Sequence, residues 1–259
     1  MLRKLTKHEF KATARYMLPL YLVLLVLTVL NRIMLNLDIY NGILSFVSNT
    51  MMVFYIVSIV TVAIVTLIIM IGRFYKNLVT DEGYLTFTLP VKVTEIVNSK
   101  IIIAVLWTII SVILIFASII IVSSTSLIDL QYILKLGYEI IKDTFANKST
   151  LLITQLIILS FFSLINKILQ VYASVAIGQL VNGHRLIGSI VAFVIINAVT
   201  QVIPAIILFV GAYFYGSSLD SVSSIPSLIF PITIIIILIF NFIFYYGTTY
   251  IFKNKLNLE

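Results

Sequence analysis

Lys167 stands inside a long apolar run, and Ser163, Asn166, Gln170 and Ser174 recur beside it at steps of three and four residues. On a helix that spacing aligns the five in one polar strip. A second polar group, Asn197, Thr200 and Gln201, comes just before Pro204 in the next apolar run. Amines, amides and hydroxyls so arranged exchange hydrogen bonds. They either line a route through apolar surroundings or join helices, with Lys167 snorkelling toward one surface. An isolated ammonium at the centre of a membrane helix costs about 2.5–3.5 kcal/mol on insertion scales, so Lys167 is expected not to face lipid. No Asp or Glu falls in the apolar cores, which argues against a proton-driven pump and its carboxylate relay.

Other reactive chemistry is scarce. The chain has no cysteine, which removes disulfides, thiolate nucleophiles and cysteine-bound metals, and only His8 and His184 offer imidazole. There is no HExxH, no GxSxG with a convergent His, and no pair of intramembrane carboxylates for metal binding or acid/base work. The expectation is a non-catalytic chain with no cofactor or metal of its own. GQLVNGHR, Gly178 to Arg185, has two glycines at the spacing of a phosphate-cradling loop, but His184 and Arg185 stand where Lys and Ser or Thr are required. His184 and Arg185 read instead as contacts for headgroups or a partner protein.

The elements that must carry these residues follow from composition. Of the 259 residues, 61% are hydrophobic and 10% charged, against roughly 45–50% and 25% in soluble chains. The chain is therefore an integral membrane protein, all α-helical. Apolar blocks run from Tyr16 to Leu35, Leu44 to Gly72, Ile96 to Val122, Leu151 to Leu180, Leu186 to Tyr215 and Leu228 to Phe252. Each reaches the ~20 residues that cross a hydrocarbon core. Residues 1–15 carry five cations and one acid, with Leu2, Leu5 and Phe10 as a sparse apolar stripe. They read as an amphipathic interfacial helix, with Lys4, Lys7, Phe10 and Lys11 at the lipid surface. Residues 16–259 form the six-span domain. A signal peptide is disfavoured because the first apolar block is too long and lacks a cleavage pattern.

Six spans return both termini to one side. Twelve of the seventeen Lys and Arg fall in the flanks shared with the N-terminus and four (Arg32, Lys135, Lys142 and Lys148) in the opposite ones, leaving Lys167 within a span. By the positive-inside rule both termini are cytoplasmic. The charge of +7 is thus explained by anionic lipid, and no nucleic-acid partner is expected. Outside, a tight LDIYNG link follows the first span. Residues 125–148 alternate apolar and charged positions as an amphipathic external helix does. Residues 211–231, with Gly216, Pro226 and Pro231, read equally as a re-entrant segment or an ordinary loop.

Residues 73–92, RFYKNLVTDEGYLTFTLPVK, form the most distinctive inner connection. Lys76, Asn77, Thr80, Asp81 and Glu82 offer polar contacts and Gly83 permits a reversal. Tyr84, Leu85, Phe87 and Leu89 then present apolar surface away from lipid. The segment reads either as a short helix and turn pressed into a groove on a cytoplasmic partner, or as a loop folded on its own bundle.

The string FYKNLVTDEGYLTFTLPV, the basic amphipathic start and the six-span layout together resemble the permease subunits of ABC type-2 exporters from Gram-positive bacteria. The layout covers essentially the whole chain; the string is the specific part. The resemblance implies the ABC type-2 exporter permease fold in a bacterial cell membrane. It implies a coupling helix within Lys76 to Pro90 seated on a separate ATPase that holds ATP and Mg. Met1 to Arg15 becomes the connecting helix and Asn182 to Arg185 a second, shorter ATPase contact. Lys76, Asn77, Asp81, Glu82, Gly83, Tyr84, Leu85, Phe87, His184 and Arg185 are then the ATPase-contacting residues. A second permease copy, or a paralogous chain, and two ATPase subunits complete the complex. The path would be lined by Ser163, Asn166, Lys167, Gln170, Asn197 and Gln201. Apolar walls with scattered hydroxyls and amides suit amphipathic cargo, with toxin or antimicrobial peptides expected first and hydrophobic drugs or lipids as the alternative. A membrane scaffold or sensor without transport is the rival from another class.

Overall fold

The computed structural model describes residues 1–36, 43–88, 90–123, 131–132, 135–139, 142, 150–181, 184–215 and 225–255. All regular structure among them is helical: α1 Leu2–Asn36, α2 Ile43–Val79, α3 Asp81–Phe87, α4 Val93–Ser123, α5 Thr150–Gly178, α6 Arg185–Tyr215 and α7 Ile225–Asn254. All but α3 are long and apolar enough to cross a membrane. With six such helices among the described residues, the chain has the make-up of a multi-pass membrane protein. Most of its helix limits follow the apolar blocks, because in lipid every backbone group must be satisfied internally, which holds the chain helical even across Pro19, Pro204 and Pro231.

Three features depart from the sequence expectations. α1 is one helix across residues 1–15 and the first span, without a break at Arg15. Thr13, Met17, Tyr21, Leu24, Thr28 and Asn31 are all buried at steps of four, four, three, four and three, so a single packed face runs through the change from basic to apolar composition. Second, α2 continues past Gly72 to Val79; its 37 residues reach about 55 Å at 1.5 Å each, well beyond a hydrocarbon core of about 30 Å. Third, the prolines near the last connection do not interrupt helices: Pro226 is the second residue of α7, where its missing N–H has no cost, and Pro231 lies within α7. Residues 216–224 of the segment 211–231 lie outside the described residues, as does the LDIYNG link. Of the segment 125–148, residues 131–132, 135–139 and 142 are described and helical, with Lys135 4.0 Å from Glu139.

The chain divides into two compact units, one of Arg3–Met70 and Ile102–Asp143, the other of Met1–Leu2, Ile71–Ile101 and Thr144–Glu259. In the first, polar side chains tie three helices together. The Trp107 indole Nε1 donates to Thr13 Oγ1 at 2.7 Å, and Phe10 lies flat on the same indole, ring centres 5.1 Å apart. Tyr21 and Ser111 hydroxyls meet at 2.7 Å, and Ser111 reaches Thr66 at 3.0 Å. Tyr55 meets Ser118 at 3.1 Å, and Asn31 Nδ2 donates to the Met51 carbonyl at 3.0 Å. Leu against lipid gains little over Leu against Leu, so such bonds and close contacts fix which faces meet.

In the second unit α5 packs against both α6 and α7, which touch each other far less. Its core joins Leu169 and Ala173 of α5 to Phe244 of α7, with Ile196 of α6 against them. Asn166 Nδ2 donates to Asn241 Oδ1 at 2.9 Å, and Asn241 Nδ2 donates to the Phe162 carbonyl at 3.2 Å. The turn from α5 to α6 is close: a Cβ on Gly178 would collide with the Oγ and backbone nitrogen of Ser189.

Candidate functional site

Two places in the second unit gather the residues that the sequence singles out. The first is the elbow around α3. Thr80, the residue before α3, has extended backbone (φ −94°, ψ −174°) and makes no side-chain cap. Its Oγ1 instead donates to the Lys76 carbonyl at 2.5 Å, and its own carbonyl accepts from Gly83 N at 2.7 Å. Lys76 Nζ reaches Glu82 Oε1 at 3.0 Å across the bend, though both side chains are well exposed and such a pair is worth at most about 1 kcal/mol. Thr88 closes the other end, its N–H donating to the Tyr84 carbonyl at 3.2 Å.

α3 is amphipathic in the literal sense of having one braced and one free face. Phe87 is half-buried, its ring 6.1 Å from Phe252 of α7. Phe252 meets Phe74 edge-on at 5.7 Å, and Phe74, fully buried, stacks on Tyr172 of α5 at 3.7 Å. Arg185, the first residue of α6, donates from Nη1 to the Val79 carbonyl at 3.0 Å, satisfying the end of α2. α2, α5, α6 and α7 are thereby linked at the elbow. On the other face Tyr84 is 63% and Leu85 69% exposed. Glu82 is exposed, as is His184 just before α6; Asn77 is half-buried and Gly83 buried. The Asp81 side chain, Leu89, Asn182 and Gly183 lie outside the described residues. Of the basic start, Lys4, Lys7 and Lys11 are exposed.

The second place is the groove between α5 and α6. Lys167 Nζ donates to Gln170 Oε1 at 3.2 Å and to Asn197 Oδ1 at 3.3 Å. Gln170, with no exposed surface, donates from Nε2 to Thr200 Oγ1 at 2.7 Å. That hydroxyl donates to carbonyls of its own helix, at Ile196 or Asn197. Thr200 therefore turns the Gln170 amide so that its oxygen faces the ammonium. The Lys167 side chain itself is exposed on this chain. Of the other path residues, Asn166 turns to α7, Ser163 donates to the Ser160 carbonyl of its own helix at 2.8 Å, and Gln201 is exposed outside the group.

Along the same groove, toward the α5–α6 connection, lies an open apolar cavity of about 340 Å³. Val171 and Ser174 of α5, Ile190 and Phe193 of α6, and Gly72 and Tyr75 of α2 line it. Its two serine hydroxyls are spent on their own helices, Ser174 on the Val171 carbonyl at 2.7 Å and Ser189 on that of Arg185 at 2.8 Å.

Sequence reasoning missed Asn241, Trp107 and Lys100. A lone Asn within IIIILIFNFIF is itself a signal of an interhelical bond. Lys100, counted among the flanking cations, is only 5% exposed. No protein-family model, no curated protein and no solved structure matches the chain.

Proposed function

We propose that this chain is the permease subunit of an ATP-driven exporter of the ABC type-2 kind, working in a bacterial cell membrane with both termini in the cytoplasm. The observation that carries the reading is the elbow. Phe87 and Arg185 brace it against four long helices, while Tyr84 and Leu85 project together from its far side. A large aromatic and a leucine held outward on a rigid mount are what a docking contact needs, since burial of such side chains dominates interface energies. A push on α3 reaches α2, α5, α6 and α7 through packed rings rather than a flexible loop.

The motor in this reading is a separate subunit that binds ATP and Mg; the chain offers it a lever and no phosphate-binding loop of its own. A second permease copy, or a paralogue, completes the translocation unit. The cargo is amphipathic, with peptides first and hydrophobic drugs or lipids next, because a route walled by these helices offers apolar surface with scattered amides and hydroxyls. Purification in mild detergent tests the reading: a nucleotide-binding protein should accompany the chain, and amphipathic peptides should stimulate its ATP hydrolysis. A chain that purifies with no such protein is a scaffold or sensor instead.

A further inference from the structure

Lys167 lies near the middle of the span Ile153–Gly178, and its partners among the described residues are amides rather than carboxylates. Two of its N–H groups meet amide oxygens; the third has no partner among the described residues. The ten acidic residues of the chain all fall outside the apolar cores of the spans, so a second copy has no core carboxylate to bring. An anion from outside the chain would compensate a charge at this depth.

The cavity says what the anion is attached to. Val171, Ser174 and Val175 follow Lys167 by four, seven and eight residues, and Phe193, Ile190 and Ser189 precede Asn197 by four, seven and eight. On an antiparallel helix pair these positions share the face of Lys167 and Asn197, beginning about 6 Å away along the axis. The cavity volume of about 340 Å³ lies at the small end of ligand sites. With Ser174 and Ser189 already bonded to their own helices, it has little to offer a peptide backbone, whose N–H and C=O groups are costly to leave unmet. A plain hydrocarbon chain leaves nothing unmet.

We propose that the α5–α6 groove binds an acyl carboxylate, its chain in the cavity and its carboxylate on Lys167. Gln170 and Asn197 hold the ammonium, which replaces the water the carboxylate leaves. A lipid lying normally in the neighbouring leaflet has its head at the surface and its chain ends at mid-depth, the reverse of this polarity. The site therefore selects a molecule drawn out of its usual depth. Gly72 and Tyr75, on the part of α2 that runs into the elbow, also line the cavity, so occupancy would be felt where the motor is proposed to sit. That last consequence rests on the permease reading; binding does not.

The test uses the purified full chain without any ATPase, and displacement of radiolabelled dodecanoate by unlabelled dodecanoate, methyl dodecanoate or an apolar peptide with a free C-terminus. Dodecanoate should compete at least about tenfold better than its ester, the scale of one charge-assisted hydrogen bond. Lys167→Met should erase that preference and Lys167→Arg keep it. Gly72→Phe, at a position where an added Cβ meets nothing within 4 Å, should fill the cavity and weaken acid and ester alike. Equal affinity for acid and ester, a preference that survives Lys167→Met, unchanged affinities in Gly72→Phe, or a peptide that outcompetes dodecanoate each overturns the assignment. Failure here leaves the permease reading untouched, which fails instead by the absence of a copurifying motor.

Discussion

Two residues of α3, two positions apart, are expected to fail in opposite ways. Leu85 is 69% exposed, so Leu85→Asp should leave the isolated chain within about 0.5 kcal/mol of its stability. In the proposed complex with a motor the same side chain would be covered. Complete burial of a leucine contributes about 1.5–3 kcal/mol, and two-thirds of that is roughly 1–2 kcal/mol. A carboxylate left in the apolar contact adds about 1–3 kcal/mol. The total, about 2–5 kcal/mol, weakens the complex by at least about thirtyfold at 1.4 kcal/mol per decade. Phe87 is half-buried against Phe252, and Phe87→Ala should cost the isolated chain about 1–2 kcal/mol through lost area and ring contact. The motor should still bind that variant, with cargo stimulating its hydrolysis less. The assays are thermal unfolding in detergent, yield of copurified ATPase, and ATP hydrolysis with and without cargo. Unchanged yield and hydrolysis in both Leu85→Asp and Tyr84→Ala would show that the exposed face of α3 is not the contact.

Other expectations concern the helix joints. Trp107→Phe removes the donor to Thr13 and should lower stability by about 1 kcal/mol; a double-mutant cycle with Thr13→Val should return a coupling of about 0.6–1.7 kcal/mol. Gly178→Ala forces the backbone of Ser189 to move and should cost about 1–3 kcal/mol and reduce folded yield. Gly247→Ala, where a Cβ meets nothing within 4 Å, should be neutral or stabilising by up to about 1 kcal/mol. Asn241→Leu strands the Asn166 amide and should destabilise the α5–α7 joint, whereas Asn166→Leu combined with Asn241→Leu should recover much of the loss in a thermal-unfolding comparison.

The long helices were legible because one signal, sustained apolar composition, sets both membrane insertion and helix length. Leu186 to Tyr215 was expected and Arg185–Tyr215 is found. The misplaced limits fall where composition and packing part company. A basic segment joined to an apolar one looked like two elements at Arg15, yet the buried positions keep a single phase through it. Apolar composition alone ends α2 at Gly72, but Phe74 and Leu78, four apart and fully buried, carry the helix on to Val79. The elbow was legible as a short helix with exposed apolar residues. Its bracing was not, because Phe87 and Phe252 are far apart in sequence and nothing local pairs them. The polar strip on α5 was visible as a strip, but its division was not: adjacent residues Asn166 and Lys167 turn to α7 and α6, and only the packing of three helices decides that.

The central claim is that the exposed face of α3 touches a motor. Because the chain contains no cysteine, Leu85→Cys carries its only thiol, at an exposed point of the elbow. Treated with a short thiol-to-amine cross-linker in inside-out membrane vesicles, this variant should join to an ATP-hydrolysing protein and be protected from maleimide labelling when that protein is bound. A thiol that labels from the outer surface of sealed cells, or that cross-links only within its own chain while the transporter remains active, contradicts the account.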